Sequence, residues 1–219
     1  MSLSTVATPP RAERRRGLAS TLGFLAVAGL AFIAGFALPY FTLNEERFAN
    51  FWPIRGWLLV HIVAGIGALL SGPLQLWWGI TDRRIETHRK LGIAYVVCVA
   101  IGAVSGIPLA IYTDHGVISA VALLGLVLAW SLTTGMAYLA IRRHLYEQHK
   151  EWMIRSYVVT FAFVTARIGV GLFSVGLGAA PGTADFNTAF AIGIWLSWTV
   201  PLLLTEAILQ GRKILAVRA

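Results

Sequence analysis

Residues 57–80 read WLLVHIVAGIGALLSGPLQLWWGI, an unbroken apolar run without one formal charge. As a helix rising about 1.5 Å per residue, a run of this length exceeds the roughly 30 Å of hydrocarbon in a bilayer. Its apolar residues are continuous and do not alternate with polar ones, which selects a helix over a barrel strand. One ionisable side chain interrupts it, His61, about one turn inside one end.

Five further stretches share this character, at about 17–43, 91–113, 117–141, 153–178 and 186–210. The fold class that follows is all-α, a polytopic membrane protein built as a bundle of six transmembrane helices over residues 17–210. A disordered basic arm (1–16) precedes the bundle and a short basic tail (211–219) follows it. Only 13% of the 219 residues are charged and 57% are hydrophobic. Soluble domains carry about 25% charge, so a water-soluble globule is excluded. The single cysteine, Cys98, excludes an intrachain disulfide framework and a multi-thiolate metal site within one chain. The first apolar stretch is longer than the 7–15 residues of a signal-peptide core and reads as a retained signal anchor.

The net charge of +8 has a topological origin. Fourteen of the eighteen Lys and Arg fall on one side of the six spans, in the two terminal segments and in the loops holding Arg83, Arg84, Arg89 and Lys90, and Arg142, Arg143 and Lys150. Arg47 and Arg55 lie on the other side. The positive-inside bias places both termini in the cytoplasm, and the protein in a bacterial cytoplasmic (inner) membrane. The basic residues thereby lose their value as a nucleic-acid signal. The partner they imply is the lipid bilayer.

Polar residues within spans are costly and mark a partner or a function. His88 and His149 stand at the basic-side entries of spans three and five, which run in the same direction, and so lie at one depth. Two such imidazoles can ligate one haem iron from opposite faces. Around them Arg155 or Arg89 would neutralise propionates, and Tyr95 or Trp152 would shape the pocket. Arg155 and Glu206 also share a depth on neighbouring antiparallel spans and can pair. Arg167, near the middle of span five, has no acid at its depth, so a carbonyl, a hydroxyl or a bound anion must serve it. His61 and Gln75 complete the polar membrane residues. His115, in the hairpin turn between spans three and four, reads as solvated, and His144 as a loop residue. Pro73, Pro108 and Pro201 mark expected kinks.

Three strings, HIVAGIGALLSGPLQ (61–75), HRKLGIAY (88–95) and HKEWMIRSYVVTFAFVTAR (149–167), resemble in order and spacing a bacterial multi-pass membrane family catalogued as domain of unknown function 2306. The match carries over His61, Gly72, Pro73, Gln75, His88, Arg89, Gly92, Tyr95, His149, Trp152, Met153, Arg155 and Arg167. It implies a membrane location and no activity. A looser likeness to six-span b-type cytochromes implies at most one haem, because span four has no internal His.

Two functional readings follow. One is a haem-b-binding electron-transfer protein, ligated by His88 and His149, with a membrane redox partner. The other is a non-redox accessory subunit or small-ligand carrier whose polar cluster is structural. A metal-dependent hydrolase built on His61 would need a carboxylate at its depth, and the spans provide none. Reporter fusions after Arg84, Arg143 and Lys213 should report cytoplasm, and fusions near Glu46, Asp114 and Asp185 the exterior. An external signal at Arg143 would overturn the six-span topology.

Overall fold

The structure, a computed structural model, describes residues 11–81 and 84–216. Its helices are α1 (Arg11–Phe32), α2 (Glu45–Phe48), α3 (Arg55–Thr81), α4 (Ile85–Ile111), α5 (Gly116–Arg142), α6 (Tyr146–Thr160), α7 (Ala162–Gly176) and α8 (Ala184–Ala216), and the described residues contain no strand. A π turn (Ile33–Ala37) and a 3-10 turn (Leu38–Thr42) prolong α1, and a 3-10 turn (Ala49–Ile54) leads into α3. Five helical segments are long and apolar enough to cross a bilayer, and α6 with α7, bent by 40°, supplies a sixth when taken as one span.

The contacts with α8 show that α6 and α7 run as one. Glu151 meets Lys213, Arg155 meets Glu206, Thr165 bonds the Ser197 carbonyl, and Gly169 faces Gly193. From Arg155 onward, ten and then four residues along α6 and α7 are matched by nine and then four back along α8, across the bend and beyond it. That is one antiparallel hairpin, and it makes six crossings. The bend itself falls at Phe161, where Val164 N–H reaches back only three residues to the Phe161 carbonyl. The Thr160 and Thr165 hydroxyls bond the Ser156 and Phe161 carbonyls, each four residues back, which weakens the regular helical ladder there.

The helices outrun the apolar stretches that announce them. α4 starts at Ile85 and α6 at Tyr146, so His88 and His149 sit in their first turns. α1 already begins at Arg11 and α8 continues to Ala216, into the segments expected as arm and tail. Residues 1–10 and 217–219 of those segments lie outside the described residues. A backbone that has begun its hydrogen-bond ladder gains by continuing it into the headgroup region.

Lipid tails are as apolar as leucine, so helices here associate by close packing and by hydrogen bonds. On α3 the buried residues Ala64, Gly65, Ala68, Ser71, Gly72 and Gln75 form one stripe at spacings of three and four. The Tyr157 ring occupies the space a side chain at Gly72 would need, and the Trp130 ring lies 2.8 Å from where a Cβ at Gly102 would be. α7 and α8 touch almost backbone to backbone, since a Cβ on Gly193 would lie 2.6 Å from the Val170 nitrogen.

The helices pass unbroken through Pro73, Pro108 and Pro201. A helical proline frees the carbonyl four residues earlier. For Pro73 that is Leu69, whose oxygen accepts the Tyr157 hydroxyl at 3.3 Å. For Pro201 it is Ser197, whose oxygen accepts Thr165 Oγ1 at 2.9 Å. Both vacancies are filled from the α6–α7 span. Gly72→Ala should cost about 1–3 kcal/mol by overpacking against Tyr157, read as a lower thermal midpoint in detergent. Gly135→Ala, at a position open to space, should leave the midpoint unchanged or higher. Equal losses would refute the packing account.

Candidate functional site

The motif at the start of α6 points in four directions. His149 Nδ1 donates to the Ala137 carbonyl of α5 at 2.9 Å. Arg155, 6% exposed, puts Nη2 2.6 Å from Glu206 of α8, its guanidinium over the Trp152 ring and 3.7 Å from Glu151. Ser156 Oγ lies 2.7 Å from both Tyr95 OH of α4 and Thr134 Oγ1 of α5. Tyr157 reaches Leu69 of α3. One side of this network has a single consistent proton order. The Trp130 indole can only donate, so Thr160 Oγ1 accepts from it at 2.8 Å and passes its own proton to the Ser156 carbonyl. Thr160 then accepts from Tyr95, Tyr95 from Ser156, and Ser156 from Thr134. Every member is buried and satisfied. The expected pairing of Arg155 with Glu206 forms, and Tyr95 gives its hydroxyl to this knot and not to a pocket.

The Tyr95–Ser156 bond also fixes the two histidines. His88 lies seven residues before Tyr95, and His149 seven before Ser156, each on the same face of its own helix. Since α4 and α6 run in parallel, His88 and His149 stand at one depth on facing sides. Their rings, however, turn to different neighbours. The His88 ring packs on α3, its Cε1 3.2 Å from where a Cβ at Gly79 would sit, and its Nδ1 is buried without a partner. The carbonyl of His88 accepts Gln75 Nε2 at 2.8 Å, which spends that buried glutamine on the α3–α4 contact. Arg89 is exposed. No group of three or more His, Cys, Asp or Glu able to hold a metal ion occurs among the described residues.

A cavity of about 360 Å³ opens toward the other end of the bundle, away from the basic loops. Its wall is largely apolar and aromatic, with Phe32, Phe36, Ile62, Leu126 and Phe163 among its members, and Trp130 lines it on the side of the hydroxyl knot. The buried Phe48, packed edge-on against Tyr40 and Trp52, belongs to the segment that covers its mouth. His61 and Arg167 both line this space. His61 Nδ1 is 2.8 Å from the Gly102 carbonyl, which can only accept, so Nδ1 carries the proton and Nε2 keeps its lone pair. The His61 ring also lies 5.4 Å from the ring of Phe163, and Arg167 follows Phe163 by one turn of α7. Arg167, an exposed residue that also lines the cavity, holds its guanidinium 5.6 Å from the Phe36 ring centroid and has no ion pair or hydrogen bond among the described residues.

His115 departs from its expected place in solvent. Its Nδ1 bonds Asn187 Oδ1 of α8 at 2.9 Å, its ring lies 4.0 Å from that of Phe190, and it lines the cavity. A hairpin-turn histidine beside Asp114 carries no signal for this, because the contact depends on where α8 begins. The aromatic cover from Tyr40 to Trp52 is likewise invisible as a site, since such residues at span ends read as an interfacial belt. His144 is exposed in its loop with a positive φ of 59°.

The fold and its buried polar network define a multi-pass α-helical integral membrane protein. A family model described as a predicted membrane protein, DUF2306, matches residues 58–209, and the chain belongs to that family. No curated protein and no solved structure matches the chain. Arg155→Glu and Glu206→Arg should each lower the yield of monodisperse protein, and the double reversal should recover part of the loss. A coupling of about 0.5–3 kcal/mol is expected in that cycle. Strictly additive losses would show that the two residues are not coupled.

Proposed function

We propose that this protein lies in a bacterial cytoplasmic membrane with both termini inside, and that it is a non-redox carrier or accessory subunit that binds a small, largely apolar molecule in its cavity. The single observation that carries the reading is the contrast between spent and unspent polar groups. Around α6, Arg155, Ser156, Tyr157 and Thr160 are consumed by other helices or by the hydroxyl knot and His149 is held through Nδ1, so those residues serve the fold. In the cavity, His61 Nε2 and the Arg167 guanidinium are not consumed. Groups left open within a membrane carry a cost that a bound molecule can offset. Apolar walls with a few convergent polar groups, at about 300–1,000 Å³, are the ordinary form of a small-molecule site.

A second reading, haem b between His88 and His149, is favoured by their common depth on facing helices. Bound there, haem would supply one-electron transfer. His149 has the required arrangement, Nδ1 on a carbonyl and Nε2 free. His88 does not, because its ring packs against α3, and the cavity of 360 Å³ is lined by neither histidine. The residues as arranged therefore do not fit the group.

Protein in lipid nanodiscs should be labelled saturably by a ten-carbon alcohol bearing a diazirine, with adducts on cavity peptides, and Leu123→Trp should abolish that labelling by filling the space. Unsaturable adducts spread over lipid-facing residues such as Phe24 and Val27 would refute the cavity reading. A reduced haem spectrum that His149→Ala abolishes would establish the second reading, and colourless protein that takes up no added haem would remove it.

A further inference from the structure

Resting on the cavity reading, the geometry points to the chemical class of its occupant: we infer a monocarboxylic acid with a medium-length alkyl chain, its carboxyl group seated beside Phe163 between His61 and Arg167. Three features select this class. The first is donor and acceptor chemistry. His61 Nε2 needs a proton donor, because Nδ1–H is held by the Gly102 carbonyl at 2.8 Å. Arg167 needs an acceptor oxygen, because its five donors have no partner among the described residues. A carboxyl group is a compact unit that meets both needs at once. Its O–H donates to Nε2 and its second oxygen accepts from the guanidinium. If the proton passes to Nε2, the carboxylate is left against Arg167 in the planar paired geometry that guanidinium favours. No proton then enters or leaves the site.

The second feature is charge. The lining includes two permanent cations, Arg167 and Arg47, and no acid, so the cavity favours an acidic head group over a cationic one. The third is volume. About 360 Å³ holds on the order of a dozen methylene-sized groups at roughly 30 Å³ each. That suits an acid of eight to twelve carbons. The apolar rings of Phe32, Phe36 and Phe163 would take the chain.

The neutral diazirine probe of the preceding test makes the experiment direct. Decanoic acid, decanol, methyl decanoate and decyl phosphate would compete for its labelling of the full-length protein in nanodiscs. Decanoic acid should compete about tenfold or more better than decanol or the methyl ester, as expected for hydrogen bonds to a charged group. Arg167→Gln should remove that preference while leaving probe labelling and decanol competition intact, and Arg167→Lys should restore part of it. His61→Gln should also reduce the acid's advantage. Retained probe labelling serves as the folding control for each variant.

Equal competition by acid, alcohol and ester, or an acid preference unchanged in Arg167→Gln, would overturn the inference and leave the cavity reading standing. Decyl phosphate competing as well as or better than decanoic acid would overturn it in favour of a phosphate head group. Failure of the probe to label the cavity at all would remove both the inference and the reading beneath it.

Discussion

Bulk water is excluded from the hydrocarbon, so every hydrogen-bonding group buried there must find its partner within the protein. The α6–α7 span meets that demand for most of the bundle. Pro73 and Pro201 free two carbonyls, and Tyr157 and Thr165 bond them. Tyr95 and Trp130 bring polar atoms to mid-membrane, and Ser156 and Thr160 receive them. Arg155 would be a severe liability as an isolated charge, yet it is held by Glu206, Glu151 and the face of Trp152. Four helices, α3, α4, α5 and α8, are thereby tied to one span. Single polar contacts in membranes are worth little, averaging about 0.6 kcal/mol, but a connected and fully satisfied set specifies one arrangement of the helices.

That division of labour separates structural from functional residues better than residue type does. By type, the histidine, tryptophan and arginine of the HxxWMxRSY string look like cofactor chemistry. By partner, they are interior joints: His149 to α5, Arg155 to α8, Ser156 to α4 and α5. His61 differs because it makes one structural bond and retains a second ring nitrogen beside open space. Arg167 differs further, since only an aromatic ring attends it. An unspent charge inside a membrane needs a reason, and a bound acid would be one.

The spans were legible in the sequence, because length and hydropathy alone set them. So was the Arg155–Glu206 pair, since antiparallel neighbours equate depth with residue count. The 40° bend was not, because nothing at Phe161 marks it. It arises where two threonine hydroxyls compete for backbone carbonyls, and one of the two, Thr165, also bonds α8. At Pro73 and Pro201 the helices continue, and hydroxyls on the α6–α7 span fill the gaps. Nor could the cavity be read from the chain. It depends on how far α1 stands from α3 and α7, a distance set by side chains packing across segments well separated in sequence.

α1 is also the odd member of the bundle. Gly29 lies against Leu69, and Ile33 and Ala37 pack on Leu69 and Val164. Among the described residues, α1 and its π turn make no side-chain hydrogen bond to another helix; Thr21 bonds within α1 itself. In a bilayer, exchanging such apolar contacts for lipid costs far less than breaking a polar joint. The π turn carries Phe36 to Arg167, and such turns cluster at functional positions. The cavity is therefore bounded on three sides by helices tied to the hydroxyl knot and on the fourth by a helix held through apolar packing alone. Among the described residues no side-chain hydrogen bond holds α1 to another helix, so the same constraint that makes α6 rigid leaves α1 as the wall of least resistance.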